Sequence, residues 1–312
     1  MGQINILYCF DSKFWHLAAV SIQSVLSHAA PDTRVRFYAM VAPHTHGRRK
    51  IEKIIKQHEC GDGLVWHVVK PNENPFQSYE YSRWSPVIWY RLFAHRVFKD
   101  VPKMLYLDSD TMICRDLSGL FNADISEYCL GAVRDLAAVN DPYHREGIYV
   151  KKFAEKYLKN GPYHNSGVLL LNMKKIAENE NLLFETKVPL VYPDQDLLNA
   201  AFCGKIKTLP LKYNLAPGIL VPTIFPPEEA KEALYGGHVI VHCYSVKPYL
   251  KQIAPDAIYK MFSDHAHAIG MKPEKFVEYD KKYTRHKRRK TCVPHVVIQD
   301  KDILLFGIRI KL

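Results

Sequence analysis

Lys103-Met104-Leu105-Tyr106-Leu107-Asp108-Ser109-Asp110 joins a short apolar run to two carboxylates one residue apart. Met104–Leu107 has no polar face, which is the pattern of a strand buried on both sides in a parallel sheet. Ligands of open α/β sheets sit outside the carboxyl ends of the strands, so Asp108 and Asp110 are expected at a binding edge. Two carboxylates placed there can converge on one hard divalent cation, which prefers oxygen ligands. Capping or salt bridging is the plainer alternative.

Upstream, strand and helix patterns alternate. Ile4–Phe10 and Val35–Val41 read as buried strands and Leu64–Val69 as a third. Between them Trp15–Leu26 and Arg48–His58 carry apolar residues at helical spacing, and Val87–Phe98 reads as a further helix. Downstream, Gly167–Asn172 and His238–Cys243 read as strands, and Gln195–Phe202 as a helix. This alternation predicts an α/β fold with a mostly parallel central sheet and helices on both faces. There is no internal repeat and no low-complexity tract. The expected organisation is a main domain over 1–250 and a small C-terminal appendage over 251–312.

The residues at the ends of the other strands gain interest for the same reason. Asp11 ends the first one. His242 ends the short strand Val239-Ile240-Val241 and offers a third metal ligand; alone, a histidine there is more often structural. Lys247 could hold a phosphate as a point charge. Asp194-Gln195-Asp196 comes directly after Pro193, where acidic residues also serve helix capping and the dipole. Asn165-Ser166-Gly167 precedes the leucine-rich strand and reads equally as a turn. Tyr8, Phe14 and Trp15 could stack a base or belong to the core. Asp-x-Asp also occurs at 300/302, inside an expected turn between Val296-Val297-Ile298 and Ile303–Phe306, which together read as a hairpin. No Gly-x-Gly-x-x-Gly or Walker-type loop is present, so backbone cradles for phosphate are missing. A metal and a lysine would have to replace them.

With 47% apolar and 24% charged residues in 312, a full globular core is expected and disorder is excluded. No apolar run approaches the ~18 residues of a spanning helix, and the N-terminus lacks the pattern of a secretory signal. Seven widely spaced cysteines without a Cys-x-x-Cys pair argue for reduced thiols and against a disulfide framework or thiolate zinc site. The cytoplasm is the expected compartment. The net charge is +11, and the segment 281–290 alone holds seven positive charges, leaving +4 on the rest. Such a cluster suits an anionic membrane surface, or less well a nucleic acid. The competing reading is a hairpin docked on its own domain beside a solvated basic segment.

Six segments in order resemble the family 8 glycosyltransferases, over about residues 4–250. They are Phe10-Asp11 with the adjoining helix, Tyr90-Arg91-Leu92, Lys103–Asp110, Tyr163–Asn172, Tyr192–Asn199, and His242 with Lys247-Pro248. The resemblance implies a GT-A fold, a UDP-sugar donor, Mn²⁺ or Mg²⁺, and retention of anomeric configuration. It implies metal ligation by Asp108, Asp110 and His242, with Ser109 between the two carboxylates in the donor site. It assigns uracil binding to Asp11, sugar contacts to Arg91 and Asp135, and the donor-sugar lining to Asn165 and Asp194. Gln195 matches the position beneath the anomeric carbon, and Lys247 the phosphate-binding lysine of the lid. His242–Pro248 is one residue shorter than the family's His-x-x-Gly-x-x-Lys-Pro-Trp, lacks its glycine, and ends in Tyr249.

The function expected is a retaining transfer of a hexose, galactose or glucose, from a UDP-sugar to a saccharide acceptor such as lipopolysaccharide or another cell-surface glycan. Gln195 is a neutral amide and a poor nucleophile, so same-face attack with the leaving phosphate as base is favoured over double displacement. The basic tail and hairpin fit attachment to the cytoplasmic face of the inner membrane, with nucleic acid unlikely as a partner. The alternative is a non-catalytic protein of the same fold that binds a nucleotide-sugar or a membrane surface. A nucleotidyltransferase would carry a glycine-rich loop where Phe10–Phe14 stands.

Overall fold

A computed structural model describes residues 2–78, 85–135, 145–217, 227–233, 237–244, 246–252, 254–284, 297–299, 302–305 and 308–311. The chain divides into two compact units, 1–245 and 246–312.

The first unit is built on a seven-stranded sheet. Its strands are β1 (Gly2–Phe10), β2 (Thr33–Val41), β3 (Gly61–Val68), β4 (Lys103–Leu107), β6 (Leu130–Arg134), β7 (His164–Asn172) and β8 (Ile206–Thr208); β5 (Thr111–Ile113) and β9 (Ile240–His242) form a separate pair. The sheet order is β3-β2-β1-β4-β7-β6-β8. Parallel pairing joins β1 to β2 and β4, β2 to β3, and β6 to β8; β7 runs antiparallel to β4 and β6. The mostly parallel α/β sheet expected from the alternation is therefore present. The continuous apolar runs of β1, β4 and β7 are buried along almost their whole length, as interior strands require.

The reversed strand matters for the site. Because β7 is antiparallel, its amino end lies beside the carboxyl end of β4: Leu107 pairs with Val168, and Asp108 N donates to Gly167 O at 2.8 Å. The carboxyl end of β6 joins the same edge, where Arg134 pairs with His164 and Asp135 N donates to Tyr163 O at 2.9 Å. Four strand ends thus meet at one place: the carboxyl ends of β1, β4 and β6 and the start of β7.

Trp15–His28 and Pro193–Ala201 form helices close to their expected ranges, the second with Pro193 in its first turn. The segment expected as one α-helix over 87–98 is instead a 3₁₀ stretch, Pro86–Phe93, continued by one α-turn, Ala94–Val97. Val87 and Trp89–Phe93 are all buried, so packing on several sides, not one amphipathic face, sets the winding. The Trp89 ring stacks on Phe76 at 5.2 Å, and Phe76 stacks on Phe184 at 5.3 Å.

In the second unit, helices Asp256–Ala268 and Pro273–Thr284 enclose an aromatic cluster in which Phe276 meets Phe262 at 4.8 Å and Tyr249 at 6.0 Å. The expected hairpin is a three-stranded antiparallel sheet, β10 (Val297–Gln299), β11 (Asp302–Leu305) and β12 (Ile308–Lys311). Gln299 pairs with Asp302, so Asp302 opens a strand and is not part of the turn; Asp300 lies outside the described residues. Of the basic segment, 281–284 end a helix and 285–290 lie outside the described residues. Among the described residues no helix is long and apolar enough to cross a membrane.

Candidate active site

A cleft of about 610 Å³ opens where the strand ends meet. Asp11, Arg91, Asp108, Ser109, Asp110, Asp135, Asn165, Asp194, Gln195 and His242 all line it. Phe14, Ile88, Val150, Tyr192 and Tyr244 add apolar and aromatic wall. Its size and mixed lining suit a small-molecule site. Of the aromatics considered for base stacking, Phe14 faces the cleft, whereas Tyr8 is core and shares a hydrogen bond with Ser21 at 2.8 Å. Lys247 is exposed and belongs to the second unit.

His242 is brought to the two carboxylates by backbone pairing. β5 leaves directly after Asp110, and β9 returns antiparallel to it with His242 opposite Thr111. Cys243 N closes the pair on Asp110 O at 2.9 Å. One ligand atom from each of Asp108, Asp110 and His242 then lies within 4.8 Å of the others. His242 Nε2 is 3.2 Å from Asp110 Oδ1 and 3.5 Å from Asp108 Oδ2, yet it is buried without a hydrogen-bond partner. Two carboxylates and an orphaned imidazole nitrogen aimed at one point fit a hard divalent cation. Burial alone would depress the His242 pKa, but Asp110 and Asp108 outweigh it and push it up to about 9. That proton must leave before a cation binds.

Asp108 divides its two oxygens. Oδ1 faces Arg91 Nη1 at 3.1 Å and accepts the Tyr106 hydroxyl proton, while Oδ2 faces His242. Burial would raise its pKa, but Arg91 and then His242 hold it well below the usual carboxylate range. Arg91 is itself buried, donates to Ser166 O at 2.8 Å, lies 3.5 Å from Asp194 Oδ2, and stands 4.3 Å over the Tyr106 ring. Asp194 also accepts Ser166 Oγ at 3.1 Å, and burial raises its pKa.

Gln195 is held at both ends of its amide: Oε1 accepts Ser166 N at 2.9 Å, and Nε2 donates to Asp135 Oδ2 at 2.9 Å. Asp135 Oδ2 also accepts Asn165 Nδ2 at 3.0 Å. Asp196, fully buried, points away from the cleft and accepts Tyr163 and Tyr149 hydroxyls and Tyr192 N, anchoring the start of its helix. Asp11 Oδ2 accepts Ser85 Oγ at 2.9 Å, and both residues line the cleft.

One residue here was not singled out from the sequence. Asn214 is buried, with Oδ1 3.0 Å from His242 Nδ1 and Nδ2 donating to Asn165 Oδ1 at 2.9 Å. Lys212-Tyr213-Asn214-Leu215 has no charge pattern or spacing that would mark it.

The family model described as Glycosyl transferase family 8 matches residues 5–249. A lipopolysaccharide 1,2-glucosyltransferase of Escherichia coli K12 is 26% identical over 220 residues, covering 68% of this chain and 62% of that enzyme. The chain thus spans less than two thirds of the length of the lipopolysaccharide glucosyltransferases it matches. Among solved structures, the galactosyltransferase LgtC, crystallised with donor and acceptor sugar analogues, superposes with a TM-score of 0.70 at 23% identity. That match covers 88% of this chain and 100% of LgtC, and it establishes the GT-A architecture. The bifunctional glycosyltransferase WbbM matches with a TM-score of 0.67 at 19% identity, over 90% of this chain and 51% of that one.

Proposed function

The chain belongs to glycosyl transferase family 8, and from that premise we propose that it moves a hexose from a UDP-sugar to a saccharide acceptor. The acceptor class proposed is lipopolysaccharide or a related cell-surface glycan. The observation that carries this is the convergence of one ligand atom each from Asp108, Asp110 and His242 in a cleft of about 610 Å³. Those three residues would hold Mn²⁺ or Mg²⁺, which supplies Lewis-acid stabilisation to the negative charge developing on the departing diphosphate.

The chain's own residues account for the remaining work. Asp11 and Phe14 border the end of the cleft proposed for the uracil. Arg91 keeps Asp108 ionised and, with Ser166, fixes the carboxylate of Asp194 beside the proposed sugar position. Gln195, neutral and tethered at both amide ends, orients the ring and is not a competent nucleophile. The displacement is then same-face. The acceptor oxygen bonds to the anomeric carbon, the carbon–phosphate oxygen bond breaks, and the hydroxyl proton passes to the leaving phosphate. Configuration is thereby retained. Lys247 is proposed as a phosphate-binding lysine, and 281–312 as a membrane-surface attachment at the site of a lipid-linked acceptor.

A screen of UDP-hexoses for Mn²⁺-dependent UDP release tests this reading. Turnover of one hexose donor that is lost on chelation is expected. No release from any donor, with or without acceptor, would favour a binding protein of the same fold.

A further inference from the structure

We propose that Asn214 is a positioning residue that keeps the proton of neutral His242 on Nδ1, leaving the Nε2 lone pair for a metal ion. The instruction originates at Asp135. The proposal rests on the reading of Asp108, Asp110 and His242 as the metal ligands.

A carboxylate oxygen can only accept, so Asp135 Oδ2 draws the amide nitrogens of both Asn165, at 3.0 Å, and Gln195, at 2.9 Å. This turns Asn165 Oδ1 the other way, where it accepts Gly167 N and Asn214 Nδ2, each at 2.9 Å. With its NH₂ committed there, Asn214 presents only its carbonyl oxygen to His242, 3.0 Å from Nδ1. An amide oxygen cannot donate, so the ring nitrogen must. Asp135, Asn165, Asn214 and His242 are all buried, and each amide in the series finds its partner within it. Flipping any amide in the series would set donor against donor or acceptor against acceptor.

The backbone holds the series in place. Leu215 bridges Val241, and His242 N donates to Leu215 O at 2.8 Å, which fixes Asn214 beside the imidazole. Because Gln195 hangs from the same Asp135 oxygen, one carboxylate orients both the imidazole and the amide proposed to lie beneath the anomeric carbon. Histidines that bind metals commonly depend on such a partner, and its loss costs ~10–100-fold in affinity.

The test is Mn²⁺ titration of the full chain without nucleotide, reading free Mn²⁺ by electron paramagnetic resonance. Asp110→Asn binding as tightly as wild type would overturn the ligand set itself. With Asp110→Asn weakened, Asn214→Leu is expected to bind ~10–100-fold more weakly than wild type. Asn214→Asp, which still offers Nδ1–H an acceptor but sets its second oxygen against Asn165 Oδ1, is expected to lose less affinity than Asn214→Leu. Wild-type affinity in Asn214→Leu, or equal loss in both variants, would overturn the proposal while leaving the ligand set standing. A second reading needs no variant: nitrogen NMR of Mg²⁺-saturated wild type is expected to place the His242 proton on Nδ1. A proton on Nε2 would overturn it.

Discussion

Gly167 lies so close to His242 that a methyl group on it would stand 2.0 Å from Cε1 and 2.7 Å from Nδ1 of the imidazole. Gly167 belongs to the buried strand β7, whose backbone is held by Asp108 N and by Asn165 Oδ1 and cannot retreat. Gly167→Ala is therefore expected to displace His242. Mn²⁺ affinity should fall by about tenfold or more, as when a ligand's orientation is lost, with UDP release falling in parallel. Unchanged Mn²⁺ binding in that variant would mean that His242 is not needed for the ion.

Arg91 neutralises two carboxylates at once. Removing its charge in Arg91→Met leaves Asp194 without its cation and Asp108 with His242 alone. The expected loss of stability is about 3 kcal/mol, at the low end for a broken buried pair because Asp108 keeps some solvent contact. Urea denaturation of wild type and variant at neutral pH measures it. A difference below about 1 kcal/mol would place the pair in the range of surface ion pairs.

His164 gives stability a pH dependence. Burial pushes its pKa down from 6.5 to about 4, against the smaller opposing effect of its hydrogen bond to Asn199. The unfolded chain therefore binds the proton first as pH falls. The stability tied to neutral His164 is fully present above 6.5 and is lost progressively toward 4. Asp196 slopes the other way: burial lifts its pKa to about 6, so its contribution weakens as pH rises from 3.8 through 6. Comparing wild type with His164→Gln cancels the Asp196 contribution. Between pH 7.5 and 4.5 the wild type is expected to lose roughly 2–3 kcal/mol more than the variant. Parallel pH profiles would show that His164 titrates normally in the fold.

The basic segment is open to a simple deletion. A chain ending at residue 280 is expected to lose co-sedimentation with vesicles of anionic lipid at physiological salt, since each basic residue near such a surface is worth ~1 kcal/mol. UDP release from a soluble donor should persist. Equal vesicle binding with and without 281–312 would remove the membrane role.

Much of the fold was legible because apolar runs ending in Asp11 and Asp108 carry the signature of interior strands with a ligand edge. Asp108 and Asp110 were legible for the same reason, Asn165 and Gln195 read equally as turn and helix-start residues, and Arg91 and Asp135 were marked only by the family resemblance. Direction was harder to read. An antiparallel β7 has the same leucine-rich pattern as a parallel one, and pairing decides it only through contacts distant in sequence. The tight winding of Pro86–Phe93 came from burial on several sides, which no single period encodes. Asn214 was invisible because its place beside His242 depends on one bridge between Leu215 and Val241.

Calorimetric titration of UDP into wild type and Asp110→Asn, each with and without Mn²⁺, tests the metal-held leaving group most directly. Expected is UDP binding tightened by about tenfold or more by Mn²⁺ in wild type, with that gain abolished in Asp110→Asn. Equal UDP affinity with and without Mn²⁺ in the wild type would contradict it.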